Sequence, residues 1–278
     1  MLMLSIRKKF HRVLTTLLLA YGLLLLCGCM FQRKLLYFPA RLSSAEAEEY
    51  ARQAGFSAWK NAAGETIGWK MPAAQSATGS VLVVHGNGGS ATHRSYFAHP
   101  IHEAGAWDVF VLEYPGYGVR GGAPGLKSWL AAAEEAIAHL PTNQPIFVVS
   151  ESLGTGVAAH LARKFPKQIA GLVMIVPYDS LPSLAQHRMP LLLPYVFLRD
   201  RFEPAKWLRD YRGPIKVVIA GRDEIIPPKY GQRLFDCYAG PKSVQIFPEA
   251  GHNDVGEQSP EWWRETFETL SAARNDGK

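Results

Sequence analysis

Short apolar runs punctuate the chain at 81–84, 109–112, 146–149, 172–176, 215–220 and 244–247. Most are unbroken by polar residues, and Val, Ile and Leu dominate them. That is the signature of strands buried on both faces. Between them, apolar residues recur at helical spacing over 126–140, 153–165, 229–238 and 261–273. An earlier pair, 56–60 and 66–71, reads as a hairpin across the turn 61–65. Ser43-Ser44-Ala45-Glu46 reads as a helix start. Strands alternating with helices predict an α/β fold with a mainly parallel central sheet and helices on both faces. The interval 181–211 is too long for an ordinary αβ connection, so it is expected to be a small inserted cap.

The N-terminus follows another rule. Basic residues at 7–12 precede the almost wholly apolar stretch 13–26. About 14 residues is short for a membrane span, which needs roughly 20, and matches the layout of a secretory signal. Its end, Leu26-Cys27-Gly28-Cys29, resembles a bacterial lipobox. Leu26 lies three residues before Cys29, and the small Gly28 immediately before it. Cys27 follows the bulky Leu26 and fits less well. The resemblance implies a signal peptide at 1–28, cleavage before Cys29 and acylation of Cys29. Two or three acyl chains hold a protein on a membrane where one does so marginally. An uncleaved anchor running to Phe31 is the other reading. Met30 is not the Asp that favours inner-membrane retention, so the expected location is the bacterial envelope, at the periplasmic side of the outer membrane. Residues 29–54 are expected to form a tether and a first helix, and 55–274 the α/β domain with the inserted cap at about 181–211.

Composition adds exclusions. The chain has 278 residues, 47% hydrophobic and 19% charged, which excludes disorder and collagen-like repeats. Of the net charge of +6, four units belong to Arg7, Lys8, Lys9 and Arg12, which leaves +2 on the rest. No basic run follows residue 41, so no nucleic-acid partner is expected. Of 3 Cys, only Cys237 lies outside the targeting segment, so no internal disulfide is expected and Cys237 reads as a buried small hydrophobe. No His, Cys or carboxylate cluster has metal-ligand spacing, so neither metal nor cofactor is expected.

Four segments carry chemistry. The run 146–149 leads into Ser150-Glu151-Ser152-Leu153-Gly154, which resembles the nucleophile elbow G-x-S-x-G with Ser in the first Gly position. Small residues two before and two after the nucleophile suit a sharp strand-to-helix turn. The run 81–84 ends in His85-Gly86-Asn87-Gly88-Gly89, similar to the His-Gly loop of α/β-hydrolases. The resemblance assigns oxyanion-hole donors to the backbone N–H groups of Asn87 and Leu153. Gly221-Arg222-Asp223-Glu224-Ile225-Ile226-Pro227 is similar to the family's acid loop, and Gly251-His252 to its base loop. The order Ser152, Asp223, His252 is that of the family. Asp179, which also follows a strand, is the rival acid. Glu113-Tyr114-Pro115-Gly116-Tyr117-Gly118 resembles a family turn with Glu in the usual Asp position, and reads as packing beside the site.

Together the motifs identify the chain as an α/β-hydrolase superfamily member over roughly 55–272. It is most similar to membrane-anchored prolyl-oligopeptidase-like and dienelactone-hydrolase-like serine hydrolases. Asn87-Gly88-Gly89 and Arg199-Asp200-Arg201-Phe202 carry that closer likeness. The resemblance implies a serine hydrolase that cleaves carboxylic esters or thioesters through an acyl-enzyme, with a small-molecule or lipid acyl ester as partner. An acyltransferase on the same triad and a non-catalytic envelope binding protein are the alternatives. Within the cap, 189–198 reads MPLLLPYVFL, with one polar group, the tyrosine hydroxyl. Pro190 and Pro194 would break a helix there. Its partner is the domain body, the membrane or a substrate chain, and an apolar acyl pocket is the expectation.

Overall fold

The computed structural model describes residues 2–276. It opens on a long helix, α1 (Leu2–Leu36), followed by the two-residue strand β1 (Phe38–Pro39) and α2 (Ser44–Gln53). A capping box starts α2: Ser43 Oγ accepts from the Glu46 N–H, and Glu46 accepts from the Ser43 N–H. The hairpin β2 (Ser57–Lys60) and β3 (Thr66–Met71) follows, then β4 (Gly79–Val84), the short β5 (Gly88–Gly89), α3 (Ser95–Ala104) and β6 (Trp107–Leu112). Next come α4 (Leu126–Ala138), β7 (Ile146–Glu151), α5 (Gly154–Lys164) and β8 (Ile169–Ile175). The cap contains α6 (Leu181–Arg188), α7 (Pro194–Phe197) and α8 (Pro204–Trp207). The chain closes with β9 (Ile215–Ala220), α9 (Pro228–Cys237), β10 (Lys242–Phe247) and α10 (Pro260–Asp276).

Eight strands form one sheet in the order β10-β9-β8-β7-β4-β6-β3-β2. The pairs from β10 to β6 are parallel; β6–β3 and β3–β2 are antiparallel. Strand period 2 splits the core into two layers. Leu82, Val84, Val148, Leu172 and Met174 pack beneath α4, α5 and the cap. Val81, Val83, Val149 and Val173 face α3 and α10 through Phe97, Ile101, Trp263 and Phe267. The chain starts its parallel sheet at β4, adds β6 on one side, then crosses back to add β7 on the other. The loops after β4 and β7 therefore leave neighbouring strands in opposite directions. Ligand crevices of open α/β sheets form at such a reversal.

Three features depart from the sequence reading. Residues 29–36 continue α1 rather than forming a loose tether, and Tyr37 is buried. Helix α3 was not anticipated: its buried positions Phe97, Ala98, Ile101 and Ala104 have helical spacing, but Pro100 interrupts them. Cys237 is exposed, because α9 buries Tyr230, Gly231 and Leu234 and ends at Cys237, where Tyr238 takes the inward place.

Candidate active site

Ser152 sits at the turn between β7 and α5 with φ +51. A non-glycine residue in this region stores strain of about 1–3 kcal/mol, tolerated only where the surroundings enforce it. Here the Ser152 N–H donates to Ile175 O at 2.9 Å, and its carbonyl accepts from Thr155 N–H and Oγ1 at 3.0 and 2.7 Å. The need for glycine at 154 comes from β4: a side chain there would collide with the Val84 and His85 carbonyls. Ser150 is not the nearest obstacle, contrary to the simple elbow argument. Its hydroxyl is buried and donates to Val173 O at 3.0 Å.

His252 Nε2 lies 3.1 Å from Ser152 Oγ, and His252 Nδ1 lies 2.7 Å from Asp223 Oδ2. The other Asp223 oxygen accepts the N–H groups of Ile225 and Ile226 at 2.8 and 2.7 Å. These bonds fix the carboxylate within its loop and leave Oδ2 for the imidazole. Asp179, the rival acid, instead has Oδ2 3.2 Å from Arg233 Nε. The three residues come from the loops after β7, β9 and β10, all at the carboxyl edge of the sheet. The arrangement can pass a proton from Ser152 to His252 while Asp223 holds the ring in one tautomer.

Asn87 and Leu153 both line the cavity that reaches Ser152. Among the described residues, neither backbone N–H donates to a protein acceptor. Asn87 is held by its other groups. Its carbonyl accepts from Phe38 N–H at 2.9 Å and Tyr117 OH at 2.7 Å, and its side-chain amide donates to Leu36 O at 2.8 Å.

His85 is buried within its loop, with Nδ1 2.8 Å from Gly86 O. Burial holds its pKa well below the usual range, so it stays neutral. Glu113 is buried nearby, with Oε1 4.0 Å from His85 Nε2 and accepting Ala91 N–H at 3.1 Å. Burial pushes its carboxyl up to about 7. Tyr114 stacks on Trp129 at 3.7 Å. The 113–118 turn therefore braces the loop after β4 from behind. His93 sits in the same brace, with Nδ1 3.4 Å from Ser90 Oγ.

The cavity has a volume of about 540 Å³. Its cap side carries Leu184, Met189, Leu192, Phe197 and Leu198, as expected of the apolar insert. The opposite wall was not anticipated. Gly28, Cys29, Gln32, Leu35 and Leu36 of α1 line it. Arg33 fixes that wall: its Nε and Nη2 donate to Asp200 at 2.8 and 3.0 Å, and Tyr37 OH donates to the same carboxylate at 3.2 Å. Asp200, the first acid of the cap, opposite the basic end of an apolar helix, was the available sequence signal.

The serine aminopeptidase family S33 matches residues 75–197. An uncharacterized protein of Mycobacterium tuberculosis strain H37Rv is 31% identical over 230 residues, 80% of this chain and 81% of that protein. The chain belongs to the same family as that protein and has the α/β-hydrolase fold. The mouse lysophosphatidylserine lipase ABHD12 is 25% identical over 224 residues, 71% of this chain and 56% of the lipase. Among solved structures, Est1E of Butyrivibrio proteoclasticus, with ferulic acid bound, aligns with a TM-score of 0.60 at 16% identity, over 74% of this chain and 95% of Est1E.

Proposed function

We propose that the protein is a serine hydrolase of carboxylic esters or thioesters, with Ser152 as nucleophile, His252 as general base and acid, and Asp223 as orienting acid. The observation that carries this reading is the continuous hydrogen-bonded line from Ser152 Oγ through His252 to Asp223 Oδ2. Ser152 Oγ attacks the acyl carbonyl and its proton passes to His252 Nε2. The N–H groups of Asn87 and Leu153 receive the developing oxyanion; one such donor is commonly worth about 10²–10³ in turnover. The tetrahedral intermediate expels the alcohol or thiol, which takes the proton from His252. Water, deprotonated by His252, then attacks the acyl-enzyme and returns Ser152.

The apolar cavity supports a hydrophobic acyl group, and the similarity to the mouse lysophosphatidylserine lipase supports a lipid ester. The likeness to prolyl-oligopeptidase-like and dienelactone-hydrolase-like enzymes rests on Asn87-Gly88-Gly89 and the 199–202 stretch. The N-terminal segment is read as the membrane attachment of an envelope protein, with Cys29 as the lipidated residue. Its support is the helix Ile6–Leu36, whose most apolar 18-residue window has a mean hydropathy of 2.2, and the Leu26-Cys27-Gly28-Cys29 spacing.

A fluorophosphonate probe tests the catalytic reading: the parent is labelled and Ser152→Ala is not. Labelling that persists in Ser152→Ala overturns the nucleophile. Product analysis with and without an added alcohol separates hydrolysis from acyl transfer. For the attachment, Cys29→Ser blocks incorporation of an acyl label; unchanged incorporation leaves Cys27 or a plain anchor.

A further inference from the structure

The cap lies alongside the outer half of α1. Tyr21 OH donates to Leu191 O at 3.0 Å. Gly28 lies so close to the cap that a Cβ there would come 2.9 Å from Leu192 Cδ2. Gln32 clamps the end of the cap turns: its Nε2 donates to Phe197 O at 3.3 Å, and its Oε1 accepts Arg199 N–H at 2.7 Å. The stretch from Leu191 to Arg199 therefore tracks α1 from Tyr21 to Gln32, about 16 Å along the helix axis.

That length of α1 is apolar. Residues 13–31 carry no charge, with Arg7, Lys8, Lys9 and Arg12 before them and Arg33 and Lys34 after. A hydrocarbon core needs roughly 20 helical residues. Counted from Val13, it ends near Gln32, so the cap turns lie at the depth of the far leaflet.

The cap surface suits that depth. Leu191 is 67% exposed, Val196 70% and Tyr195 52%. Backbone polar groups in lipid must be satisfied internally. Within the cap, Leu192, Leu193, Val196, Phe197 and Leu198 donate their N–H groups to carbonyls three or four residues back, and Pro190 and Pro194 have none. The Leu191 and Tyr195 carbonyls accept from Tyr21 and Arg201 side chains. No acid lies between 181 and 199, whereas the exposed Arg188, Arg199 and Lys34 lie around the apolar face. Such basic groups suit anionic headgroups.

We propose that the cap turns 189–198 are immersed in the membrane leaflet beside α1, so that the cavity leading to Ser152 opens toward lipid acyl chains and takes its substrate from the bilayer. Cleavage before Cys29 would remove Tyr21 and Gly28, and the placement would then rest on the Gln32 clamp and on the acyl chains of Cys29, which lines the cavity. The uptake half of this proposal rests on the hydrolase reading; the immersion half does not.

Both halves are tested on the full chain, one copy per lipid nanodisc of phosphatidylethanolamine and phosphatidylglycerol. The emission added by Val196→Trp over the parent is blue-shifted and is quenched by brominated acyl chains. A control, Glu48→Trp on α2, is quenched by acrylamide instead. Water-like emission from Val196→Trp, insensitive to brominated lipid, overturns immersion. The Leu191→Glu/Val196→Glu variant loses at least about tenfold in kcat/KM on a long-chain monoacyl ester held in the disc, and stays within about twofold on p-nitrophenyl butyrate. Equal losses on both substrates overturn uptake from the bilayer. A parent inactive on both overturns the hydrolase reading, while the fluorescence still decides immersion.

Discussion

The side-chain amide of Asn87 donates to the carbonyl of Leu36 at 2.8 Å, tying the loop after β4 to the last residue of the N-terminal helix. The strands continue this tie, since Phe38 and Pro39 pair in parallel with Gly88 and Gly89. The N-terminal segment thus helps to shape the site.

Loosening that tie through Asp200 lowers both stability and activity. Asp200 is buried and accepts from Arg33 and Tyr37, so Asp200→Ala leaves the buried Tyr37 hydroxyl without its acceptor. The expected cost is about 1–3 kcal/mol in chemical denaturation. The labelling rate of Ser152 falls as well, because the segment holding Asn87 is freed. An unchanged labelling rate in a destabilised variant would separate the latch from the site.

The triad acid is distinguished by paired substitutions. Asp223→Asn lowers turnover by up to about 10⁴, as wrong-tautomer changes do. Asp179→Asn breaks only the contact to Arg233 and leaves kcat near the parent value. Steady-state kinetics on one chromogenic ester checks both, and the reverse outcome exchanges their roles.

Buried Glu113 makes stability depend on pH. Its carboxyl titrates at about 7 in the fold, against an ordinary value of 4.5. The folded state therefore holds a proton that the unfolded chain releases. Stability from this group is fully present below about pH 4.5 and declines to about pH 7 by at most about 1.4 kcal/mol per unit. It is flat above that. Glu113→Gln removes the decline. The test is the difference between the stability profiles of parent and variant, in which the opposite contribution of His85 cancels. Parallel profiles would show that Glu113 stays ionised throughout.

Acyl-chain preference follows from the cavity. On p-nitrophenyl esters, kcat/KM rises from acetate to at least hexanoate, by roughly fourfold per methylene at about 0.8 kcal/mol each. Leu184→Trp fills the cap side of the cavity and moves the optimum to shorter chains. Acetate as the best substrate of the parent would leave the cavity unused by the acyl group.

The strands that carry the site could be read from the sequence because each is a continuous apolar run that cannot remain in water. The loops carrying Ser152, Asp223 and His252 were legible for a local reason: each places that residue beside the glycines or prolines its turn needs. Even so, Ser150 showed the limit of that reasoning. The steric demand on Gly154 comes from β4, a strand distant in sequence. Helix α3 stayed hidden because Pro100 interrupts the pattern its buried face otherwise displays.

By itself, the sequence determined the parallel sheet, the order Ser152, Asp223, His252, and an apolar N-terminus ending at Leu26-Cys27-Gly28-Cys29. Only the tertiary structure decided that Asp223 rather than Asp179 meets His252, and that α1 walls the cavity opposite the cap. Hydrophobic period is a property of neighbouring residues. The choice between two carboxylates, and the meeting of Gly28 with Leu192 or Arg33 with Asp200, depends on where the sheet reverses and how the cap folds back. No local pattern encodes those long-range placements.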